Sequence, residues 1–346
     1  MTQSGKPPTL ADVARLAGVS VTSASRALNG GVRGTQSGST QVRRRVQDAA
    51  RALGYAVSPA AQAIKGGRAS TVALLVSDID DFGSATLISG VMHAAEKRGV
   101  SVSVRTTKDD PLRELLLLEQ LGGERHRAII IGTSRTTDEG REAALAAQLR
   151  TLHDRGAKIV LIGDNDMDFP TVTVDNRRAA RRLALGLAAA GARRFAIVSG
   201  PDSEITAHER VAGFQEGLAE HGISVAAGDV VHAPFSRDGG HSAVQKIASD
   251  LSELDVIAAM SDAMAVGIIA RLRERGIETP REIEVTGFDH VPMLGDVLPG
   301  FSTVEVPLEA FGEAALSLAF DGETGDGPTA RIALSATPIV HGIAAV

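Results

Sequence analysis

From Thr71 onward, short apolar runs alternate with longer amphipathic stretches, and this alternation constrains the fold more than any other feature. The first run, TVALLV, contains no charged residue, which is typical of a strand buried on both faces of a parallel sheet. Helices are expected near residues 138–155, 176–190, 208–221 and 262–275, with apolar strand candidates between them. The alternation predicts a doubly wound α/β architecture in two halves, with a ligand site at the carboxyl ends of its strands.

A different pattern occupies the first fifty-odd residues. Thr9 and Asp12 form a Thr-x-x-Asp capping pattern, and apolar residues at helical spacing follow. Gly18 predicts the end of this helix because glycine tolerates a positive φ, and Ser20 predicts the cap of a second helix, VTSASRAL. Two short helices joined by a tight glycine-containing turn form a helix-turn-helix, whose second helix reads the DNA major groove.

The second helix presents side chains suited to DNA. The pattern places Val21, Thr22, Ser25 and Arg26 on the face opposite its small apolar residues. Thr22 can hydrogen-bond to a base edge or phosphate, Val21 can pack on a thymine methyl, and Arg26 can pair bidentately with guanine. A plain helical hairpin would show the same two helices, so this pattern alone leaves that alternative open.

The charge is distributed unevenly along the chain. Residues 1–67 carry a net charge of +7, and the remainder carries −13. A basic head on an acidic body favours binding of a polyanion by the head, although chance or solubility would give the same asymmetry. The chain has no cysteine, which excludes disulfides and thiolate metal sites, and it has neither an apolar leader nor a long apolar run. We therefore expect a cytoplasmic protein that does not enter a membrane.

The segment TLADVARLAGVSVTSASRALNG, followed by RRRVQDAARALGY, closely resembles the N-terminus of the lactose-repressor (LacI/GalR) family. The resemblance implies base contacts from Val21, Thr22 and Arg26. It implies backbone-contacting or packing roles at five further positions: Thr9, Ser20, Ser25, Asn29 and Tyr55. The Gly/Ser-rich stretch GGVRGTQSGST, which precedes the third helix, is longer than is usual in the family.

Residues 58–68 resemble the hinge of that family. Ile64 takes the position of a leucine that wedges into the minor groove, and Lys65 follows it. An apolar wedge flanked by cations unstacks bases in exchange for a bend in the DNA. Pro59 is displaced from the family pattern, and Ile is stiffer than Leu, so we expect a different wedge geometry. The segment is too short to be a stable helix alone, and we expect it to order on DNA.

The resemblance extends through the body in the segments VTVDN, RVAGF, SDAMAVG, GFD and STVEVPLEAFGEAA. It implies a body like a periplasmic sugar-binding protein, in which crossovers near 174, 304 and 334 join two subdomains. The expected domains are a DNA-binding head (1–57), a hinge (58–68) and an effector-binding and dimerisation body (69–346). Within the body we expect subdomain one at 69–173 and 305–333, and subdomain two at 174–304 and 334–346.

The family resemblance also implies a set of effector-binding residues in the cleft. They are Phe82, Ser84, Arg210, Phe235, Ser261 and Asp289. A bidentate donor, a carboxylate acceptor and an aromatic plate suit a sugar, polyol or nucleoside. Simpler alternatives stay open: Arg210 in a surface ion pair, Ser261 as a helix cap, and Phe235 as ordinary core.

These observations together predict a sequence-specific transcription regulator. We expect a repressor that binds operator DNA as a homodimer, or a higher assembly, under control of a small-molecule effector. We expect no cofactor and no metal, because the chain lacks the P-loop, Rossmann, nucleophile-elbow and H-E-x-x-H signatures of enzymes. Two alternatives are a stand-alone solute-binding protein and an α/β enzyme fused to a DNA-binding head.

Overall fold

A computed structural model describes residues 7–28, 40–55, 71–80, 82–321 and 330–341. The chain divides into two compact units, Met1–Ser70 and Thr71–Val346, which we call the head and the body. The predicted DNA-contacting positions Asn29, Ile64 and Lys65 lie outside the described residues.

Within its described residues the head forms three helices: α1 (Leu10–Ala17), α2 (Val21–Leu28) and α3 (Thr40–Leu53). Thr9 and Asp12 form the predicted capping box, in which the Thr9 amide donates to Asp12 Oδ2 at 2.9 Å. Gly18 ends α1 at a φ of 64°, a left-handed conformation that glycine adopts without strain. Small buried side chains from all three helices form the core: Val13, Ala14, Ala17, Ala24, Val46, Ala49 and Ala50.

In the body, six described strands form a parallel sheet in the order β11-β5-β4-β3-β1-β2. These strands are β1 (Thr71–Val76), β2 (Ser101–Thr106), β3 (Ala128–Gly132), β4 (Lys158–Ile162), β5 (Thr171–Val174) and β11 (Arg331–Leu334). Four helices cover the sheet: α4 (Phe82–Lys97), α12 (Leu308–Asp321), α5 (Pro111–Glu124) and α6 (Glu139–Asp154). Alternate strand residues point to opposite faces, so both faces of the sheet carry apolar side chains. The first two helices pack on one face and the last two on the other. We call this sheet and its four helices lobe one.

Four other described strands form a second parallel sheet in the order β7-β6-β8-β9. They are β6 (Phe195–Ser199), β7 (Val230–His232), β8 (Val256–Ala259) and β9 (Glu284–Thr286). The helices beside them are α7 (Asn176–Ala189) and α8 (Ile205–Ala219) on one face, and α9 (Arg237–Ala243) and α10 (Asp262–Glu274) on the other. The short helix α11 (Pro292–Val297) and the antiparallel pair β10 (Thr303–Glu305) and β12 (Thr337–Ile339) complete lobe two.

Among the described residues, the chain passes between the lobes at three points. These are the junctions from β5 to α7, from β10 to α12 and from β11 to β12. The doubly wound α/β architecture predicted from the alternation is confirmed. In both lobes the residues that follow the parallel strands lie at the carboxyl edge of a sheet, where open α/β sheets bind ligands.

One predicted boundary is wrong. The helix expected at 208–221 begins earlier, at Ile205, and ends at Ala219. Its N-cap residue, Glu204, makes no side-chain capping hydrogen bond, so no capping signal marks the start of α8 in the sequence.

Candidate functional site

Helix α2 presents the three side chains predicted to contact bases. Val21, Thr22 and Arg26 are all exposed, and Val21 is 48% exposed although it is apolar. They lie outside the core because Ala24 is fully buried on the other side of α2. A short helix with an apolar and a guanidinium side chain at its surface has the chemistry for major-groove readout.

The predicted exposure of Ser25 is wrong, since this residue is buried. Ser25 follows the buried Ala24 in α2, and its small side chain lies at the edge of the core that the three head helices form.

Ser20 is exposed and caps α2, with its Oγ accepting the Ser23 amide at 3.1 Å. Tyr55 is half-buried and packs against the head core, which agrees with a packing role.

The arginines at the start of α3 differ from one another. Arg45 donates to the carbonyl of Ala17, so it satisfies a backbone acceptor at the end of α1 that the helix itself leaves open. Arg44 is exposed, and Arg43 is half-buried. Arg44 is therefore better placed than Arg45 to reach phosphate.

Arg210 on α8 is buried inside lobe two and is held from several sides. Its Nε donates to Asn176 Oδ1 at 2.9 Å, and its Nη1 donates to the carbonyl of Met260 at 2.7 Å. Its guanidinium carbon lies 3.8 Å from the centroid of the Phe288 ring. A surface ion pair is thus excluded as the account of Arg210, because the residue is 8% exposed.

Asp289 follows β9 and contacts Arg210 directly. Arg210 Nη2 lies 3.3 Å from Asp289 Oδ1, and the Asp289 amide donates to the carbonyl of Val304 at 2.9 Å. Asp289 and His290 both have positive φ, 111° and 59°. Such conformations cost about 1–3 kcal/mol in a residue other than glycine, and they cluster at ligand sites. The structure thus brings together the predicted donor and the predicted acceptor of the cleft.

The other predicted cleft residues lie at separate positions. Ser261 is buried and caps α10, since its Oγ accepts the Met264 amide at 3.2 Å. Phe235 is half-buried and packs on Gly200, where an added Cβ would lie 2.1 Å from the ring. Phe82 and Ser84 are half-buried in the first turn of α4, in lobe one. The helix-cap alternative for Ser261 is therefore observed.

The loops after β3 and β6 contact each other across the two lobes. The Thr137 amide donates to the carbonyl of Ser203 at 2.8 Å, and the Ile205 amide donates to the carbonyl of Arg135 at 3.0 Å. Thr136 and Glu204 pair as an antiparallel bridge, and Thr136 Oγ1 donates to the same Ser203 carbonyl at 2.9 Å. We call residues 135–137 and 203–205 the cleft bridge. It joins the lobes at a point separate from the three crossovers.

A buried ion cluster in lobe one supports the cleft bridge. The Nη2 of Arg135 lies 2.8 Å from Glu114 Oε1, and its Nη1 lies 3.6 Å from Glu142 Oε1. Burial raises the pKa of Glu142, and burial likewise raises the pKa of Glu204 in the bridge itself. Our sequence predictions did not include this cluster. A signal was present, because Glu114 occupies the same helical face as the buried Leu118 and Leu121.

No group of His, Asp and Glu in the part of the chain that the structure describes has an arrangement that could hold a metal ion. No described helix is long and apolar enough to cross a membrane.

The chain matches two family models, in the order in which the two units occur. Residues 9–58 match the bacterial regulatory proteins of the lacI family. Residues 69–317 match the periplasmic binding proteins and sugar binding domain of the LacI family.

Similar proteins align over nearly the whole chain. Catabolite control protein A of Priestia megaterium is 27% identical over 313 residues, which are 90% of this chain and 91% of that protein. The HTH-type transcriptional repressor PurR of Klebsiella pneumoniae (strain 342) is 25% identical over 314 residues, covering 90% and 89%.

A solved structure shows the same fold. The lac repressor dimer bound to operator and the anti-inducer ONPF superposes with a TM-score of 0.82 at 20% identity, and the match covers 99% of this chain and 100% of that chain. The head, the body and the order of their elements thus agree with one family throughout. The chain belongs to the LacI family of bacterial regulatory proteins and is a DNA-binding transcription regulator with an effector-binding body.

Proposed function

We propose that this protein is a cytoplasmic repressor that binds a pseudo-palindromic operator as a homodimer, under control of a polyhydroxylated effector in the cleft between its lobes. The effector is a sugar, a polyol or a nucleoside. The protein acts by binding and not by catalysis. The observation that carries the effector half of the proposal is the Arg210–Asp289 pair at the carboxyl edge of lobe two.

The chemistry of this pair fits a ligand rich in hydroxyl groups. The guanidinium offers donors in a fixed plane, held by Asn176 and the Met260 carbonyl, and the carboxylate accepts hydroxyl hydrogens. A group held in advance loses little entropy when it binds a ligand. We assign further effector contacts to Phe82 and Ser84 in lobe one and to Phe235 and Ser261 in lobe two.

The DNA half of the proposal rests on α2 and on the regions that flank it. We assign base readout to Val21, Thr22 and Arg26, with Thr9 and Ser20 fixing the helices that hold them. We assign backbone contacts to Asn29 and a minor-groove wedge to Ile64 and Lys65. A two-fold assembly doubles the surface that one head applies to DNA, which specific binding requires.

A thermal-shift screen of the full-length protein tests the effector site. D-ribose, cellobiose, ribitol and adenosine are the first probes, since a compound that binds only the folded state raises Tm. We expect one class to stabilise the wild type and to fail with Arg210→Ala and Asp289→Asn. Arg271→Ala, half-buried on α10 where the side chain pairs with Glu274 at 2.9 Å, is the matched control and should respond as the wild type does. No stabilising compound, equal stabilisation of all variants, or turnover of the bound compound would contradict the proposal.

Selection of binding sites from random duplex DNA tests the head. We expect the wild type to select a two-fold symmetric site, and Arg26→Ala to lose about 10–100-fold in affinity for it, because a bidentate base contact is removed. Binding to unrelated DNA at the same salt concentration should change little. Arg44→Ala is the control, since a phosphate contact would weaken binding to both DNAs alike. If Arg26→Ala keeps its preference for the selected site, the assignment of α2 is wrong.

A further inference from the structure

Asp262, the first residue of α10, is 1% exposed, and its hydrogen bonds lead to the loop that carries Asp289. The Asp262 amide donates to the carbonyl of Phe288 at 2.7 Å. The Val291 amide donates to Asp262 Oδ2 at 2.6 Å. One residue therefore holds the loop on both sides of Asp289 and His290.

The second carboxylate oxygen of Asp262 connects this loop to β10. Thr303 Oγ1 donates to Asp262 Oδ1 at 2.8 Å, and Thr303 is itself 1% exposed. The next residue in β10, Val304, supplies the carbonyl that accepts the Asp289 amide at 2.9 Å. The carboxylate thus joins α10, the loop and the strand that leads to a crossover between the lobes.

The conformation of the loop needs such support. Two successive residues other than glycine in the left-handed region persist only where their surroundings determine the backbone more than once. The carboxylate also packs against the start of the loop, because a Cβ on Gly287 would lie 2.0 Å from Asp262 Oδ1. Only glycine at position 287 therefore allows the loop to approach the carboxylate this closely.

We propose that Asp262 is a positioning residue for effector recognition, whose carboxylate holds residues 288–291 in the conformation that presents Asp289 to the cleft. The inference rests on the proposed role of Asp289 in effector binding. The holding of the loop is nevertheless measurable in the protein without an effector.

The charge of Asp262 provides a way to test this role. Burial raises its pKa to about 6, against the opposing effects of the Val291 amide, the Thr303 hydroxyl and the charge of His290. The titratable groups on the elements packed around it are Asp289 and His290 in the loop, Glu284 on β9 and Glu305 on β10. Below the pKa the neutral carboxyl is a weaker acceptor for the Val291 amide. With Asp262 still buried at the start of α10, breaking this one bond raises its pKa further, so the loop should loosen locally as the pH falls through about 6, even though the fold as a whole gains stability.

Residue-resolved hydrogen exchange of the full-length protein, expressed as protection factors from pH 5 to pH 8, measures this effect. We expect protection of the Val291 amide to fall about tenfold as the pH drops, because a charged acceptor becomes neutral. In Asp262→Asn the step should disappear, since a carboxamide does not titrate in this range. In Thr303→Val the step should move to higher pH, because the charged form loses a hydrogen bond.

Two control variants separate this carboxyl group from its neighbours. Glu284→Gln changes another buried carboxyl, bonded to Ser302 Oγ at 2.8 Å, and should keep the step. His290→Asn removes the imidazole whose charge acts on Asp262, and it too should keep a step. A flat wild-type profile, or a step that persists in Asp262→Asn, would overturn the proposal. If Asp262→Asn does not fold, an unmoved midpoint in Thr303→Val overturns it.

The outcome is independent of the effector screen. A screen without a stabilising compound contradicts the proposed function but leaves the exchange profile of Val291 unchanged. Loss of the pH step contradicts the role of Asp262 even where a sugar or nucleoside binds.

Discussion

Both lobes bring buried charges to the cleft, but they use them differently. In lobe two, Arg210 and Asp289 are 9% and 18% exposed in their side chains and lie at the carboxyl edge of the sheet. In lobe one, Glu114 and Arg135 are 2% exposed each, and they pair with one another behind the cleft bridge. On the proposed function, lobe two holds groups for a ligand, whereas the charges of lobe one hold a backbone loop. Selection of the effector and closure of the cleft would then depend on different lobes.

The largest effect is expected in lobe one, from Glu114→Ala. The change leaves Arg135 buried without the carboxylate at 2.8 Å, and breaking such a pair costs about 3–5 kcal/mol. Urea denaturation should show this loss in the free energy of unfolding. Glu119→Ala, exposed on the same helix, is the control and should change it by less than about 0.5 kcal/mol. A loss under about 1 kcal/mol for Glu114→Ala would remove the contrast between the lobes.

The second prediction concerns the buried carboxyl of lobe two and its dependence on pH. The pKa of Asp262 is raised from 3.8 to about 6, so its contribution to stability is present below pH 4 and is lost as the pH rises through about 6. The stability of Asp262→Asn relative to the wild type should therefore rise by about 2–3 kcal/mol between pH 4 and pH 7, the equivalent of roughly two pKa units. Denaturation curves at several pH values measure the difference. A difference that is constant with pH would show that Asp262 is not a raised acid in the folded protein.

The smallest effect is expected from the cleft bridge. Thr136→Val keeps the shape of the side chain but removes the hydroxyl that donates to the Ser203 carbonyl, which should cost about 1 kcal/mol. Exchange of the Thr137 and Ile205 amides should speed up, while that of Val291 in lobe two should not. Equal acceleration in both lobes would mean that the bridge is not a local contact between them.

Patterns that span one or two helical turns were readable from the sequence. The capping box of Thr9 and Asp12, the apolar stripe of α3 and the continuous apolar strands all depend on neighbours in the chain, and the structure contains them. The exposure of Ser25 was predicted wrongly because the edge of a buried helix face depends on which helices pack against it. A small polar residue carries no signal of that edge.

Contacts between distant segments were not readable. Asp262 is bonded to residues 29 and 41 positions away, and no local spacing shows such partners. The start of α8 was missed for a related reason, since Glu204 pairs with Thr136 and makes no side-chain cap. The family resemblance named Arg210 and Asp289 as effector-binding residues, and their contact with one another became visible only in the fold.

The cleft bridge has a consequence for timing. Its backbone hydrogen bonds link the two lobes, so a motion that parts the lobes at this point has to break them first, and an effector whose entry needs that motion has to wait for it. Where opening is slower than diffusion, the association rate is set by the protein and no longer rises in proportion to effector concentration. Where release of an effector needs the same motion, the contact also lengthens the residence time of the bound molecule. A regulator built in this way averages over brief fluctuations in its effector and responds to those that last.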